Sequence, residues 1–136
     1  MELKAELLVS GDAVAGACLA LTAPISFWGG VDPASGTIID ARHPERGRNI
    51  AGQILALPGT IGSSSASAVL LELVHAGKAP AALLLDAPDA ILLLGLIVAR
   101  EMGWPAPPAF RLPAADQAAL AGRNLAISAE GRITTA

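Results

Sequence analysis

The sequence predicts one domain of the α/β or α+β class, in which helices flank a barrel-like sheet. Three patterns support this fold class. Strand-like segments come first, helical and strand-like segments then alternate, and strand-like segments return at the end. We assign residues 1–136 to a single domain, because a chain of 136 residues is long enough to bury a core without disulfides or metals.

The first part of the chain is predicted to hold a hairpin and a long loop. Leu3 to Val9 and Ala17 to Thr22 are strand-like, and a Ser-Gly-Asp turn lies between them. The loop from Ile25 to Gly36 carries half of the chain's aromatic residues, and loops of this length in compact domains tend to be functional. A short strand, Thr37 to Asp40, is expected to follow it.

The middle of the chain begins with a strand and a helix. Gln53 to Leu57 has the length and apolar character of a buried strand. A helix is predicted after it, because Leu70, Leu73 and Val74 recur at helical spacing, and Gly77 is expected to end that helix.

A second strand and helix come next. Ala81 to Leu85 is predicted to be a buried strand. Asp89 is the expected N-cap of a helix from Ala90 to Met102, which Gly103 ends. Apolar residues occupy nearly every side of this helix, so we expect it to be packed on several faces.

The C-terminal part is predicted to contain three short features. They are an extended connector from Trp104 to Pro108, one helical turn from Asp116 to Ala121, and a closing hairpin. The hairpin strands, Asn124 to Ser128 and Arg132 to Thr135, are joined at Glu130-Gly131.

The composition is unusually apolar. Hydrophobic residues make up 53% and charged residues 15% of the chain, against about 45–50% and about 25% in typical globular proteins. With so little polar surface, we expect part of the outside to be buried against a partner. The formal net charge of −3 argues against nucleic acid as that partner, because nucleic-acid binding needs a clustered basic face.

Localisation and redox chemistry are constrained by two further features. Met1 to Lys4 lacks the basic start of a signal peptide, and the longest apolar run, Ala90 to Ala99, is far shorter than the ~20 residues of a membrane span. We therefore expect a soluble, cytoplasmic protein. Cys18 is the single cysteine, which predicts a buried thiol and no cysteine-based metal or iron–sulfur site within this chain.

The segment from Pro58 to Ser67 is the leading candidate site. A helix that starts here directs its unpaired amide hydrogens and the positive end of its dipole at the preceding loop. Within five positions stand four serines, Ser63, Ser64, Ser65 and Ser67. Such a segment suits an anion or a stabilised serine alkoxide. The ordinary alternative is a serine N-cap, but a cap requires only one hydroxyl.

Other catalytic patterns fail or are weak. Gly47 and Gly52 have the spacing of a phosphate-binding P-loop but lack the Lys-Ser/Thr pair that should follow. The serine segment lacks the second glycine of a nucleophile elbow, and the two histidines, His43 and His75, complete no Ser-His-Asp pattern. The polar segment from Ala41 to Asn49 is either a solvated loop or one that brings His43 to a site.

Two segments closely resemble the small subunit of aconitase X. The first runs from Ser26 to Asp40, includes Gly29-Gly30-Val31-Asp32-Pro33, and continues through His43-Pro44 and residues 47–54. The second runs from Leu57 to Glu72 and includes Gly62-Ser63-Ser64-Ser65. The resemblance covers most of the chain and extends through Ala79 to Ala82 and Pro88 to Ile91.

This resemblance implies the swivelling domain of the aconitase superfamily, present as a separate chain. A larger subunit would hold the iron–sulfur cluster or iron, and this chain alone would bind neither. Members of the family remove water from hydroxy acids. One branch dehydrates cis-3-hydroxy-L-proline to Δ1-pyrroline-2-carboxylate, and another dehydrates mevalonate 5-phosphate.

The resemblance also implies roles for the serine segment. In the superfamily, a serine of the glycine-serine turn acts as an alkoxide that takes the proton α to a carboxylate. In this chain that base would be Ser63, with Ser64 as the rival assignment. Ser65, Ser67 and the backbone around Gly62 would hold the substrate carboxylate.

Substrate anchoring is expected to differ from that in aconitases proper, in which an arginine follows the paired serines. Here Ser65-Ala66 stand in that place, so Arg42, Arg46 or the large subunit would supply the anchor. The further candidate substrate-binding residues are Gly29, Gly30, Asp32, Arg42 and His43.

The leading hypothesis is a hydro-lyase acting on cis-3-hydroxy-L-proline, active only with its large subunit. The alanine-rich, lysine-poor composition is typical of bacterial chains and favours this branch. The alternatives are the small subunit of a mevalonate 5-phosphate dehydratase, whose phosphate the serine segment would also suit, and a non-catalytic anion-binding module.

Overall fold

The computed structural model describes residues 1–135. The strands are β1 (Glu2–Lys4), β2 (Glu6–Val9), β3 (Val14–Ala20), β4 (Ile54–Leu57), β5 (Ala82–Leu85), β6 (Ala109–Arg111), β7 (Asn124–Ile127) and β8 (Arg132–Thr135). The helices are α1 (Phe27–Gly30), α2 (Ala66–His75), α3 (Ala90–Glu101) and α4 (Ala114–Ala118). Within residues 1–135, no helix is long and apolar enough to cross a membrane.

The predicted barrel-like sheet with flanking helices is confirmed. The eight strands follow the order β1-β8-β7-β3-β4-β5-β6-β2, and the two outermost strands of this order, β1 and β2, are joined in the chain by Ala5 alone. The N-terminal segment therefore links the two ends of the sheet into a ring. Strands β3, β4, β5 and β6 run parallel to one another, and the other pairings are antiparallel.

The predicted N-terminal hairpin is wrong. β1 pairs with β8 and β2 with β6, whereas β3 lies between β4 and β7. The segment divides at the buried residue Ala5, whose N–H donates to the Gly131 carbonyl at 2.8 Å. A Cβ on Gly131, where φ is +99°, would lie only 2.4 Å from the Ala5 carbonyl oxygen. The close crossing of these two backbones therefore requires glycine at this position.

Two cores lie on opposite faces of the sheet. Along β4, Ile54 and Ala56 point into the barrel interior, where they pack with Phe110. Leu55 and Leu57 point outward into the core beneath α2 and α3. All four residues of β4 are buried, which explains its uninterrupted apolar sequence.

Both central helices agree closely with their predicted bounds. Gly77 and Gly103 follow α2 and α3 with φ of +72° and +76°. The Lys78 N–H bonds the Leu73 carbonyl at 2.9 Å, as in a Schellman motif. The Asp89 side chain caps α3 by accepting from the Leu92 N–H at 3.0 Å.

Three smaller predictions need correction. The segment from Thr37 to Asp40 is not a strand. Thr37 pairs with Asn49, and Ile38 pairs with Val31, each as an isolated bridge, because both partners lie in loops. The three-residue strand β6 follows the proline-rich connector and was not predicted. Helix α3 is packed by the described chain on one side only, as its exposed side chains show.

Candidate functional site

The candidate site lies at one edge of the sheet. Because β3, β4, β5 and β6 are parallel, their carboxyl ends meet there, and ligand sites of open α/β sheets lie outside such ends. The loop after β4, residues 58–65, contains three of the four candidate serines and is called the serine loop below. It leads directly into α2.

The serine hydroxyls do not behave as a simple cap. Ser65 occupies the N-cap position, yet its side chain makes no capping hydrogen bond within residues 1–135. Instead, the Ser65 N–H donates to Ser63 Oγ at 3.2 Å. The Ser67 hydroxyl makes a long contact, 3.5 Å, with the Ser64 carbonyl. The Ser63 bond is thus a local serine turn that precedes the helix, and helix capping explains none of these hydroxyls.

The contact at Ser63 has a chemical consequence. Its oxygen accepts an amide hydrogen at the start of α2, where the helix dipole is positive. A hydrogen bond donated to an oxygen favours the deprotonated form of that oxygen. Ser63 is also partly buried, whereas Ser64 is exposed. The geometry thus stabilises negative charge on Ser63 more directly than on Ser64.

The serine loop is held on two sides. Thr60 Oγ1 donates to Asp89 Oδ2 at 2.8 Å, and the Ile61 N–H donates to the Ile25 carbonyl at 3.0 Å. Because Asp89 also caps α3, one carboxylate joins the serine loop to the first turn of that helix. The sequence predicted the cap at Asp89 but gave no sign of its bond to Thr60.

Helix α3 also sets the position of the first turn of α2. Gly95 faces that turn so closely that a Cβ there would lie 2.6 Å from the Ser67 carbonyl oxygen and 3.3 Å from Leu70 Cβ. Only a residue without a side chain fits this crossing as it stands. Gly95 therefore determines how closely the two helices approach beside the serines.

A cleft of about 540 Å³ opens between the serine loop and the start of α3. Its lining includes Gly62, Asp86, Asp89 and Ile91. Within the described chain, the residues lining this cleft include two carboxylates and no lysine, arginine or histidine. The cleft thus combines backbone amides with acidic side chains and an apolar wall.

The long loop contributes to this edge through its first half. Gly29 is exposed with φ of +78°, whereas Gly30 is buried against Ile25, whose Cγ1 would lie 3.0 Å from a Cβ at Gly30. Since the Ile25 carbonyl holds the serine loop, Gly30 supports that loop from behind. Gly30 therefore lies beside the segment that holds the serine loop, and Gly29 precedes it in the chain.

Asp32 is used within its own turn and is not brought to the serines. Its carboxylate accepts from the Ala34 N–H at 3.2 Å and from the Ser35 hydroxyl at 2.8 Å. Gly36, which closes the same turn, packs against the Lys78 carbonyl beyond the C-terminal end of α2. The ten-residue helix separates this turn from the serine loop by roughly 15 Å.

His43 is buried, and both of its ring nitrogens are engaged by the fold. Nε2 lies 3.0 Å from the Ala23 carbonyl, and Nδ1 accepts from the Glu45 N–H at 3.1 Å. This pattern fits a neutral ring with its hydrogen on Nε2. Arg42 is exposed, and its guanidinium makes no ion pair with the described residues.

Gln117 is a buried residue of this edge that the sequence did not indicate. Its Nε2 donates to the carbonyls of Leu57, at 3.0 Å, and Leu112, at 2.9 Å. Leu57 is the last residue of β4, so this amide fixes the point where the serine loop begins. Its Oε1 is buried without a hydrogen-bond partner among the described residues. A glutamine in a short, alanine-rich helical turn carries no sequence signal for such a role.

The side chains that could bind a metal are scattered through the described chain. Within residues 1–135, no three His, Cys, Asp or Glu side chains are grouped so that they could hold a metal ion. Burial raises the pKa of the Cys18 thiol to about 11, which keeps it protonated and a poor ligand. The donor set of residues 1–135 does not fit a metal or an iron–sulfur cluster.

A family model described as the aconitase X swivel domain matches residues 2–135. A cis-3-hydroxy-L-proline dehydratase from Pseudomonas aeruginosa is 54% identical over 95 residues, which are 70% of this chain and 16% of that protein. A protein of the same name from Hypocrea jecorina is 40% identical over 121 residues, 88% of this chain and 20% of that protein. The chain thus spans a fifth or less of the length of these two relatives.

Other similar proteins are nearer to this chain in length. A phosphomevalonate dehydratase small subunit from Thermococcus onnurineus is 40% identical over 99 residues, 73% of this chain and 75% of that subunit. The crystal structure of Thermococcus kodakaraensis aconitase X in its holo-form matches with a TM-score of 0.86 and 30% identity. That match covers all of this chain and 98% of the solved chain.

Proposed function

The chain belongs to the aconitase X swivel-domain family, and we propose that it is the small subunit of a two-chain hydro-lyase that dehydrates cis-3-hydroxy-L-proline. The choice of substrate rests on the 54% identity to a protein named for that reaction. The choice of base rests on one contact, the hydrogen bond from the Ser65 N–H to Ser63 Oγ.

The proposed reaction removes water across two ring carbons of the substrate. Ser63, as its alkoxide, takes the proton from the carbon that bears the carboxylate. The electron pair of that C–H bond forms a carbon–carbon double bond, and the hydroxyl on the neighbouring carbon leaves as water after it gains a proton. The resulting enamine tautomerises to Δ1-pyrroline-2-carboxylate.

A serine hydroxyl is a weak base in water, so its surroundings must favour the anion. In this chain the first turn of α2 supplies an amide donor and the positive end of a helix dipole. Closure by a second subunit would remove the competing water. In this scheme the hydroxyls of Ser65 and Ser67 and the backbone at Gly62 bind the substrate carboxylate.

We assign any iron or iron–sulfur cluster to the large subunit, because the side chains of the described residues, 1–135, do not fit such a group. What the chain contributes is the base, the anion-binding turn and one wall of the cleft.

A second candidate substrate is mevalonate 5-phosphate. It is favoured by the similarity to small subunits that are named for that substrate. In one of them, the match covers 75% of the subunit's length. The acidic lining of the cleft, Asp86 and Asp89, favours the zwitterionic proline instead. A phosphate would meet like charge there unless the large subunit supplied cations.

The test is to express this chain with a large subunit, anaerobically and with iron, and to measure loss of cis-3-hydroxy-L-proline. We expect turnover by the wild-type complex and at least 100-fold less with Ser63→Ala, since removal of a general base typically lowers rates by about 10²–10⁴-fold. Ser10→Ala, which changes an exposed serine bonded to Arg100, is the control. Activity within a few fold for Ser63→Ala, together with its loss in Ser64→Ala, would move the base to Ser64.

The remaining outcomes separate the alternatives. A complex that forms and carries its cluster but acts only on mevalonate 5-phosphate would replace the substrate. Failure to form any complex would favour the anion-binding module.

A further inference from the structure

Helix α3 presents an apolar outer face, defined here by Ile91, Leu94, Ile97 and Met102. Their side chains are 48%, 49%, 49% and 53% exposed. From Ala90 to Ala99 the helix contains no charged or polar side chain. A surface helix ordinarily turns charged residues to water, so this face is unusual for one that stays in contact with solvent.

The outer face continues into a groove between α3 and α2. The groove has a volume of about 170 Å³ and is lined by Ser67, Ala68, Leu71, Leu94, Gly95 and Val98. A single exposed leucine needs no explanation. A helix face and an adjoining groove that are both apolar form a contiguous patch, which marks an interaction surface.

The packing of α3 leads to the same conclusion. The sequence indicates a helix that is packed on several faces, but within the described chain only one side is buried, through Leu92, Leu93, Leu96 and Ala99. A partner outside this chain would bury the rest. The low proportion of charged residues in the whole chain, 15%, independently predicts such a partner.

The position of the outer face indicates which partner. At its N-terminal end, Ile91 also lines the cleft beside Gly62, so a partner that covers the face reaches the candidate site. In the relative that is 54% identical, the matched segment is only 16% of the protein, so the remainder of that enzyme is ample to cover it.

We propose that the outer face of α3 and the groove beside α2 are the docking surface for the large subunit. This inference rests on the proposed function, because it takes the large subunit of that enzyme as its occupant. The face is apolar, so its counterpart on the large subunit is an apolar patch, with polar contacts at the rim of the cleft.

The experiment measures association of this chain with the large subunit for wild type, Leu94→Lys and Ile97→Lys. A lysine placed in the centre of an apolar interface leaves a buried charge without a partner, so we expect each variant to bind at least tenfold more weakly. Both side chains are half exposed, so the circular dichroism and melting temperature of the isolated variants should match wild type. If one of the two variants misfolds, the other still tests the docking surface.

Leu7→Lys is the matched control, because Leu7 is a leucine of similar exposure, 43%, on β2. It should bind like wild type. If Leu94→Lys and Ile97→Lys also bind like wild type, the docking surface is elsewhere while the two-chain enzyme stands. If wild type itself forms no complex, both the partner and the surface are refuted. If wild type forms a homodimer that Leu94→Lys dissociates, the occupant is a second copy of this chain.

Discussion

The contact between Gly95 and the first turn of α2 makes the sharpest prediction about the candidate site. In Gly95→Ala the new Cβ would lie 2.6 Å from the Ser67 carbonyl oxygen, whereas real Cβ atoms essentially never come within 3.0 Å of such an atom. The atom in the way is backbone, which cannot rotate aside. The two helices must therefore move apart by several tenths of an ångström.

The effect on stability is expected to be modest. Overpacking of a tight contact costs about 1–3 kcal/mol, and the replacement of glycine by alanine inside a helix returns about 1 kcal/mol. The net loss is about 0–2 kcal/mol, or at most roughly 8 °C in melting temperature for a domain of this size.

The effect on turnover is expected to be larger. The displaced turn carries Ser67 and is continuous with Ser65, whose N–H bonds Ser63. A misplacement of about 1 Å at a catalytic group lowers rates by about 100-fold, so a shift of this size should cost between about tenfold and 100-fold. The measurements are turnover by the reconstituted complex and thermal unfolding of the isolated chain.

Gly16→Ala serves as the control, because the nearest atom to its added Cβ is the Gly52 carbonyl oxygen at an ordinary 3.5 Å. It should keep activity within about twofold, and its stability should be unchanged or slightly raised. If Gly95→Ala melts at or above the wild-type temperature and keeps full activity, the reasoning about this crossing is refuted. A lower melting temperature with full activity would limit the role of Gly95 to packing.

Three further predictions concern side chains that are partly or fully buried. Thr60→Val removes the hydroxyl that donates to Asp89. The variant should lower turnover by about tenfold, whereas the free energy of unfolding should fall by only about 1 kcal/mol. Asp89→Ser also removes the acceptor of that hydroxyl, but serine can still cap α3. In a double-mutant cycle of Thr60→Val and Asp89→Ser, effects on turnover that simply add would contradict the view that the two side chains act as a pair. Gln117→Leu leaves the buried Leu57 carbonyl without its donor and should reduce the free energy of unfolding by about 1–3 kcal/mol; an unchanged denaturation midpoint would refute it. Burial raises the pKa of the Cys18 thiol from 9.0 to about 11. The unfolded thiol therefore ionises first, and stability should fall as pH rises through that interval. Denaturant titrations of wild type and Cys18→Ala across this range should show a steeper decline in wild type.

Three of the candidate substrate-binding residues outside the serine loop make contacts that serve the fold. Asp32 holds its own turn, and Gly30 supports Ile25. His43 joins the polar segment to the chain that follows β3, through the Ala23 carbonyl. Their part in substrate binding stays a prediction, which alanine variants of Arg42 and Asp32 in the reconstituted complex would test through KM.

The sequence by itself determined the features whose causes are local. Helical spacing located α2 and α3, and Asp89, Gly77 and Gly103 set where these helices begin or end. These predictions succeed because caps and spacing act within a few residues. The serine segment was also recognisable locally, because its four serines exceed the single hydroxyl that an N-cap requires.

The tertiary structure decided whatever depends on residues far apart in the chain. It divided the first strand at Ala5, because closure of the sheet requires that residue to meet Gly131 near the other end of the chain. It joined Thr60 to Asp89, and it placed Gln117 beneath the serine loop. Local sequence cannot specify such choices, since each depends on which backbones the closed sheet brings into contact.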